Sequence, residues 1–125
     1  MNELITGNLP LEIVKICDQA NEKIKQIRLS TNRPLVPMEL MEAAEYLLSF
    51  RAYLTGPLLE SEARYRDIIN VYRMEDMSVS AAETKAKTSP EYRAYKYLDR
   101  VDTLADEQVK LVKRFTNRLN DEFSR

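Results

Sequence analysis

Histidine and tryptophan are absent from this 125-residue chain, cysteine occurs once and glycine twice. Each absence closes something. Without histidine the commonest general base and the commonest transition-metal ligand are gone. With a single cysteine as well, zinc sites of the usual kinds are excluded. Loops that cradle phosphates need clustered glycines, and Gly7 and Gly56 stand alone. No apolar run approaches the roughly 20 residues of a membrane span. The amino-terminal stretch lacks the basic start and apolar core of a secretory leader. Cys17 sits among Ile13, Val14, Ile16 and Ala20, which reads as a buried free thiol and fits a reducing cytoplasm. Two-carboxylate chemistry stays open on composition alone. The acidic residues, however, are spread along polar helix faces. No catalytic residue, cofactor site or metal site is therefore expected, and the chain is read as a non-enzyme.

What is present favours helices. Charged residues make up 31% of the chain and aromatics 8%, a mix suited to helical packing rather than sheets. The net charge of −1 gives no global attraction to a polyanion, so any such binding must come from uneven distribution. The last third is the clearest segment. Ser89 can cap a helix, Pro90 fits its first position and Glu91 favours the positive end of the dipole. Apolar residues then recur at Leu98, Val101, Ala105, Val112, Phe115, Leu119 and Phe123, a stripe with a nearly seven-residue beat. A helix of about 35 residues is about 50 Å long. Such a rod needs a long partner.

Upstream, residues 1–8 read as a loose start. A first helix is expected over about 9–29, with Asn8 as cap and Pro10 in the first turn. The stretch 30–37, with Asn32, Pro34 and Pro37, reads as a connector. A long helix follows over about 38–75. Gly56-Pro57 either divides it or kinks it, and the kink is preferred because Leu58, Leu59, Ala63, Ile68, Ile69 and Tyr72 resume helical spacing without a polar spacer. Ser78 or Ser80 caps a short helix over about 79–87, and Ser80 with Glu83 has capping-box spacing. The last helix covers about 90–124. The expectation is an all-α single domain over 1–125. Two long helices form an antiparallel, coiled-coil-like hairpin, the first helix packs alongside, and the excess apolar stripe drives self-association.

Charge is unevenly placed along this frame. Residues 1–62 hold six Lys or Arg against nine Asp or Glu, whereas 85–118 hold nine against five. At helical spacing, Arg93, Lys96, Arg100, Lys110, Arg114 and Arg118 fall within an arc of about 100°. Only Glu107 and Asp121 intrude on it. The run from Lys110 to Arg118 carries four positive charges and no negative one. Such an arc suits a row of phosphates, because each neutralised phosphate releases counterions. Tyr92, Tyr95 and Tyr97 stand beside Arg93 and Lys96, where exposed rings could stack on unpaired bases. The competing reading is an ordinary solvated face, with tyrosines filling the hairpin end and lysines in intrahelical ion pairs. Arg64, Arg66 and Arg73 form a smaller basic group, diluted by Asp67, Glu75 and Asp76. Glu39, Glu42 and Glu45 are explained by the dipole of the helix they open.

The stretch from Ser78 to Leu98 reads SVSAAETKAKTSPEYRAYKYL. A short "SxxxAExxAK" helix, a capped break and a long helix beginning "EYxxYKxL" resemble small helical bacteriophage proteins of recombination and replication. In size, helical content and order of elements the chain is similar to the T-even phage recombination mediator family, over about residues 45–120. The resemblance implies a ring-like oligomer that loads a recombinase onto single-stranded DNA. It implies backbone contacts from Lys85, Lys87, Arg93, Lys96 and Arg100, and the basic arc adds Lys110, Arg114 and Arg118. The expected function is a non-enzymatic accessory protein that binds single-stranded nucleic acid and assists a recombination or replication enzyme. The alternative is a helical assembly protein that oligomerises or docks on a protein partner without nucleic acid.

Overall fold

A computed structural model describes residues 3–29 and 37–123. The fold is all-α, with no strand among the described residues. Its elements are α1 (Glu3–Thr6), α2 (Leu11–Leu29), α3 (Pro37–Met74), α4 (Val79–Ala86) and α5 (Pro90–Phe123). Of the connector expected over 30–37, residues 30–36 lie outside the described residues and Pro37 instead opens α3.

Each boundary has a local cause. The start expected to be loose instead holds the helical turn α1, which closes on Gly7 at φ 63°. Helical bonding of α2 begins at the Pro10 carbonyl, which accepts from Ile13 and Val14. Asn8, the expected cap, instead places its Nδ2 3.5 Å from Glu91 Oε1. The helix α3 runs unbroken through Gly56 and Pro57. Proline costs it one hydrogen bond there, from the position that would serve the Tyr53 carbonyl. Ser78, not Ser80, caps α4, its hydroxyl accepting from the Ala81 amide at 3.2 Å. Ser89 accepts from the Tyr92 amide at 3.2 Å and donates to the Ala86 carbonyl at 2.6 Å, so one hydroxyl ends α4 and starts α5.

The chain divides into two compact units. The first comprises Met1–Val14 and Leu54–Arg100. Its core is built from small residues: Ala82 and Ala86 of α4 and Ala94 of α5 are buried, with Leu54 and Leu98. Small side chains let backbones approach closely. A Cβ on Gly7 would sit 2.1 Å from the Pro90 carbonyl oxygen.

The second unit comprises Lys15–Tyr53 and Val101–Arg125. Three stripes meet in its core. They are Cys17, Ala20, Ile24 and Ile27 from α2, Leu40, Ala43, Leu47 and Phe50 from α3, and Val101, Ala105, Val109 and Val112 from α5. The spacing of three and four residues puts each set on one helix face. Residue numbers along α3 fall as those along α5 rise. Arg51 meets Asp102 and Asp106, while Met41, Ala44 and Leu48 line a groove with Val109, Val112 and Thr116. Tyr46 donates to Gln19 Oε1 at 3.2 Å and carries Lys23 Nζ 5.6 Å from its ring centre, joining α3 to α2.

Candidate nucleic-acid interface

In the first unit the basic residues are held by tyrosines. Tyr65 of α3 packs against Tyr92 and Tyr95 of α5, with ring centres at 5.0 Å and 5.8 Å. Partial burial, with Tyr92 alongside, raises the Tyr65 phenol above its ordinary value of 10.0. Lys96 Nζ lies 5.6 Å from the Tyr95 ring and 5.8 Å from that of Tyr92. Lys85 Nζ lies 4.6 Å above Tyr72. These are cation–π distances. Arg93 is half-buried, its Nη1 donates to the Thr88 carbonyl at 3.2 Å, and its Nε is buried without a partner. Lys87 and Arg100 are exposed. Tyr92 and Tyr95, for which the sequence left base stacking and packing both open, pack against Tyr65, the Tyr95 ring nearly parallel to it at 13° and the Tyr92 ring tilted at 53°.

In the second unit the arrangement differs. Lys110 pairs with Asp106 at 2.9 Å. Asp106 also accepts from Arg51 Nη1 at 2.7 Å, and Arg51 Nε donates to Asp102 at 2.9 Å. The hydrogen bond from Lys110 holds the Asp106 carboxyl below its ordinary 3.8; partial burial opposes this and the Arg51 charge adds to it. The Arg51 guanidinium is raised in turn, first by its hydrogen bond to Asp102. One turn further on, Lys113, Arg114 and Arg118 are exposed and unpaired among the described residues. The segment is thus neutralised at its Asp106 end and open at its far end.

Beside this open end lies an aromatic residue that sequence reasoning assigned to the core. Phe115 is 41% exposed and Leu111, one turn before it, 42%. On α5 they form a column at i and i+4. It is displaced by one residue, about 100°, from the column Lys110, Arg114 and Arg118. The side chains of Leu119 and Phe123, the last members of the expected stripe, lie outside the described residues.

The smaller basic group on α3 is largely paired: Arg64 with Glu60 and Arg66 with Glu62, each at 2.6 Å. On the opposite flank of α5 in the second unit, Met41, Ala44, Leu48, Val109 and Val112 line an apolar groove of about 220 Å³, with Glu45 and Lys113 also contributing. Among the described residues no group of acidic or sulfur side chains is arranged to hold a metal ion. None of their helices is long and apolar enough to cross a membrane. Cys17 is buried, and burial, helped by Asp18, pushes its thiol up to about 12. That is far above a reactive thiolate.

In comparison with known proteins, no family model, no curated protein and no solved structure matches this chain.

Proposed function

We propose that this chain is a non-enzymatic accessory protein that binds single-stranded nucleic acid through the carboxy-terminal half of α5. The observation that carries the reading is the exposure of Lys113, Arg114 and Arg118 with no acidic partner among the described residues. Arg64 and Arg66, by contrast, each pair with a carboxylate one turn away on their own helix. Unpaired cations along one helix are suited to phosphates. Lys85, Lys87, Arg93, Lys96 and Arg100 form a second basic group in which only Lys87 and Arg100 are free of ring or carbonyl contacts, so its share of binding is the smaller one. The resemblance over residues 45–120 supplies the setting: a phage-type, cytoplasmic helper of a recombination or replication enzyme, built as an antiparallel helical hairpin that self-associates.

A fluorescence titration of labelled oligothymidylate at several salt concentrations tests this. Three or four phosphate contacts give a slope of log K against log salt of about −2 to −3. Absence of binding at low salt, or binding indifferent to salt, ends the proposal.

A second reading has its own support. The groove lined by Met41, Leu48, Val109 and Val112 leaves apolar surface uncovered, and a helical assembly protein would fill it with a partner. An oligomer that ignores nucleic acid in a sizing experiment favours that reading.

A further inference from the structure

The polar and apolar halves of the exposed α5 surface lie side by side, and a polyanion made only of phosphates would use one of them. Lys110, Arg114 and Arg118 recur every fourth residue, about 6 Å apart along the axis. Leu111 and Phe115 recur with the same step on the adjoining column. Phe115 follows Arg114 directly and stands one turn before Arg118, and all three are exposed. Phe115 breaks the core rhythm of this helix. The buried stripe runs Leu98, Val101, Ala105, Gln108 and Val112, and the next turn is taken by Thr116, which is half-buried and lines the groove with α3. Phe115 thus keeps 41% of its surface exposed beside arginines that have no acidic partner among the described residues.

We infer that Phe115 is the base-stacking residue of this interface and makes it select unpaired over paired nucleic acid. The inference rests on the proposed function and adds its specificity. Arg114 and Arg118 hold the backbone of a single strand, and the ring of Phe115 receives the face of an unpaired base, with Leu111 as the apolar floor. Duplex bases are already stacked and offer no free face, so a duplex meets only the cations. The charge of the neighbouring column selects a polyanion rather than an apolar protein segment as the occupant.

The experiment compares oligothymidylate with a blunt duplex of equal length on the full chain. The variants are Phe115→Ala, Phe115→Leu, Phe115→Tyr and the double charge reversal Arg114→Glu/Arg118→Glu, each checked for helicity by circular dichroism. Loss of one stacked base predicts roughly 5- to 150-fold weaker oligothymidylate binding in Phe115→Ala. The salt slope and duplex binding should stay unchanged. Phe115→Leu keeps apolar bulk without the ring and should lose the same preference, while Phe115→Tyr should retain it. If the leucine and alanine variants bind oligothymidylate like the parent, and charge reversal still weakens binding, stacking is overturned and the proposed function stands. If charge reversal also leaves binding unchanged, or the parent binds neither DNA, both fall. Equal binding of the parent to vesicles of anionic lipid, lost in the same variants, would overturn the inference in favour of a membrane surface.

Discussion

Gly7 lies so close to Pro90 that a Cβ on the glycine would stand 2.1 Å from the proline carbonyl oxygen, and its φ is +63°. Both facts forbid a side chain. Left-handed backbone alone costs a non-glycine residue about 1–3 kcal/mol, and the contact is with backbone, which cannot swing away. Gly7→Ala should therefore lower the melting temperature clearly. Gly56 is the opposite case. It is helical, and apart from its chain neighbours and its own helix backbone nothing lies within 4 Å of its virtual Cβ. Gly56→Ala should change stability far less, because the helix propensity that alanine gains is opposed by the clash of its Cβ with the ring of Pro57, which follows it in the helix. Urea unfolding of the two variants checks the pair. Equal effects would contradict the account of both sites.

The Arg51, Asp102, Asp106 and Lys110 cluster predicts an acid limb of stability. The Asp106 carboxyl is depressed below 3.8 in the folded chain. A depressed carboxylate contributes stability that is present above its unfolded pKa and is lost as pH falls through the folded one. Melting temperature should hold from neutral pH down to about the ordinary carboxylate value near 4 and then fall. Lys110→Met removes the leading cause of the depression, so that variant should lose less on going from pH 7 to pH 3. An identical loss in parent and variant would contradict the assignment.

Gln108 occupies a core position of α5, 6% exposed, with its Oε1 buried and unpartnered. Leaving such an acceptor unmade costs about 1–3 kcal/mol. Gln108→Leu should raise thermal stability by several degrees, read by circular dichroism. A lowered melting temperature would mean that the amide has a partner the account does not include.

The sequence carried the helices because their causes are local. Ser89-Pro90-Glu91 opens α5 by capping, fixed φ and charge, and each acts within one turn. Leu98, Val101, Ala105 and Val112 are buried as their spacing requires. Periodicity then misled at Phe115. From Val112 the next core position is three or four residues on, and an α-helix drifts by ~20° per heptad against a strict seven-residue repeat. Which of Phe115 and Thr116 turns inward depends on where α3 lies, and that is not written in α5. The same limit hid Arg51. Its contact with Asp102 spans 51 positions and exists only once the α3–α5 register is set. The turn Glu3–Thr6 was missed because four residues hold too little pattern. It is kept by the tight seat of Gly7 on Pro90.

The candidate interface was half legible. Charge counting picked out Arg114 and Arg118 and set Arg64 and Arg66 apart as diluted by Asp67, Glu75 and Asp76, but it did not name Glu60 and Glu62, which carry their ion pairs. Nor could it show that Tyr92 and Tyr95 turn toward Tyr65. Aromatic residues beside cations look alike in sequence whether they face solvent or a neighbouring helix.

The most direct test sets those two arginine pairs against each other. The salt dependence of oligothymidylate binding would be measured for the parent, for Arg114→Glu/Arg118→Glu and for Arg64→Glu/Arg66→Glu. The account predicts weaker binding and a slope shallower by about 1.4 for the first double variant, two lost contacts on a single strand, and near-parental binding for the second. Equal behaviour of the two variants, or a parent that binds no nucleic acid at low salt, would contradict it.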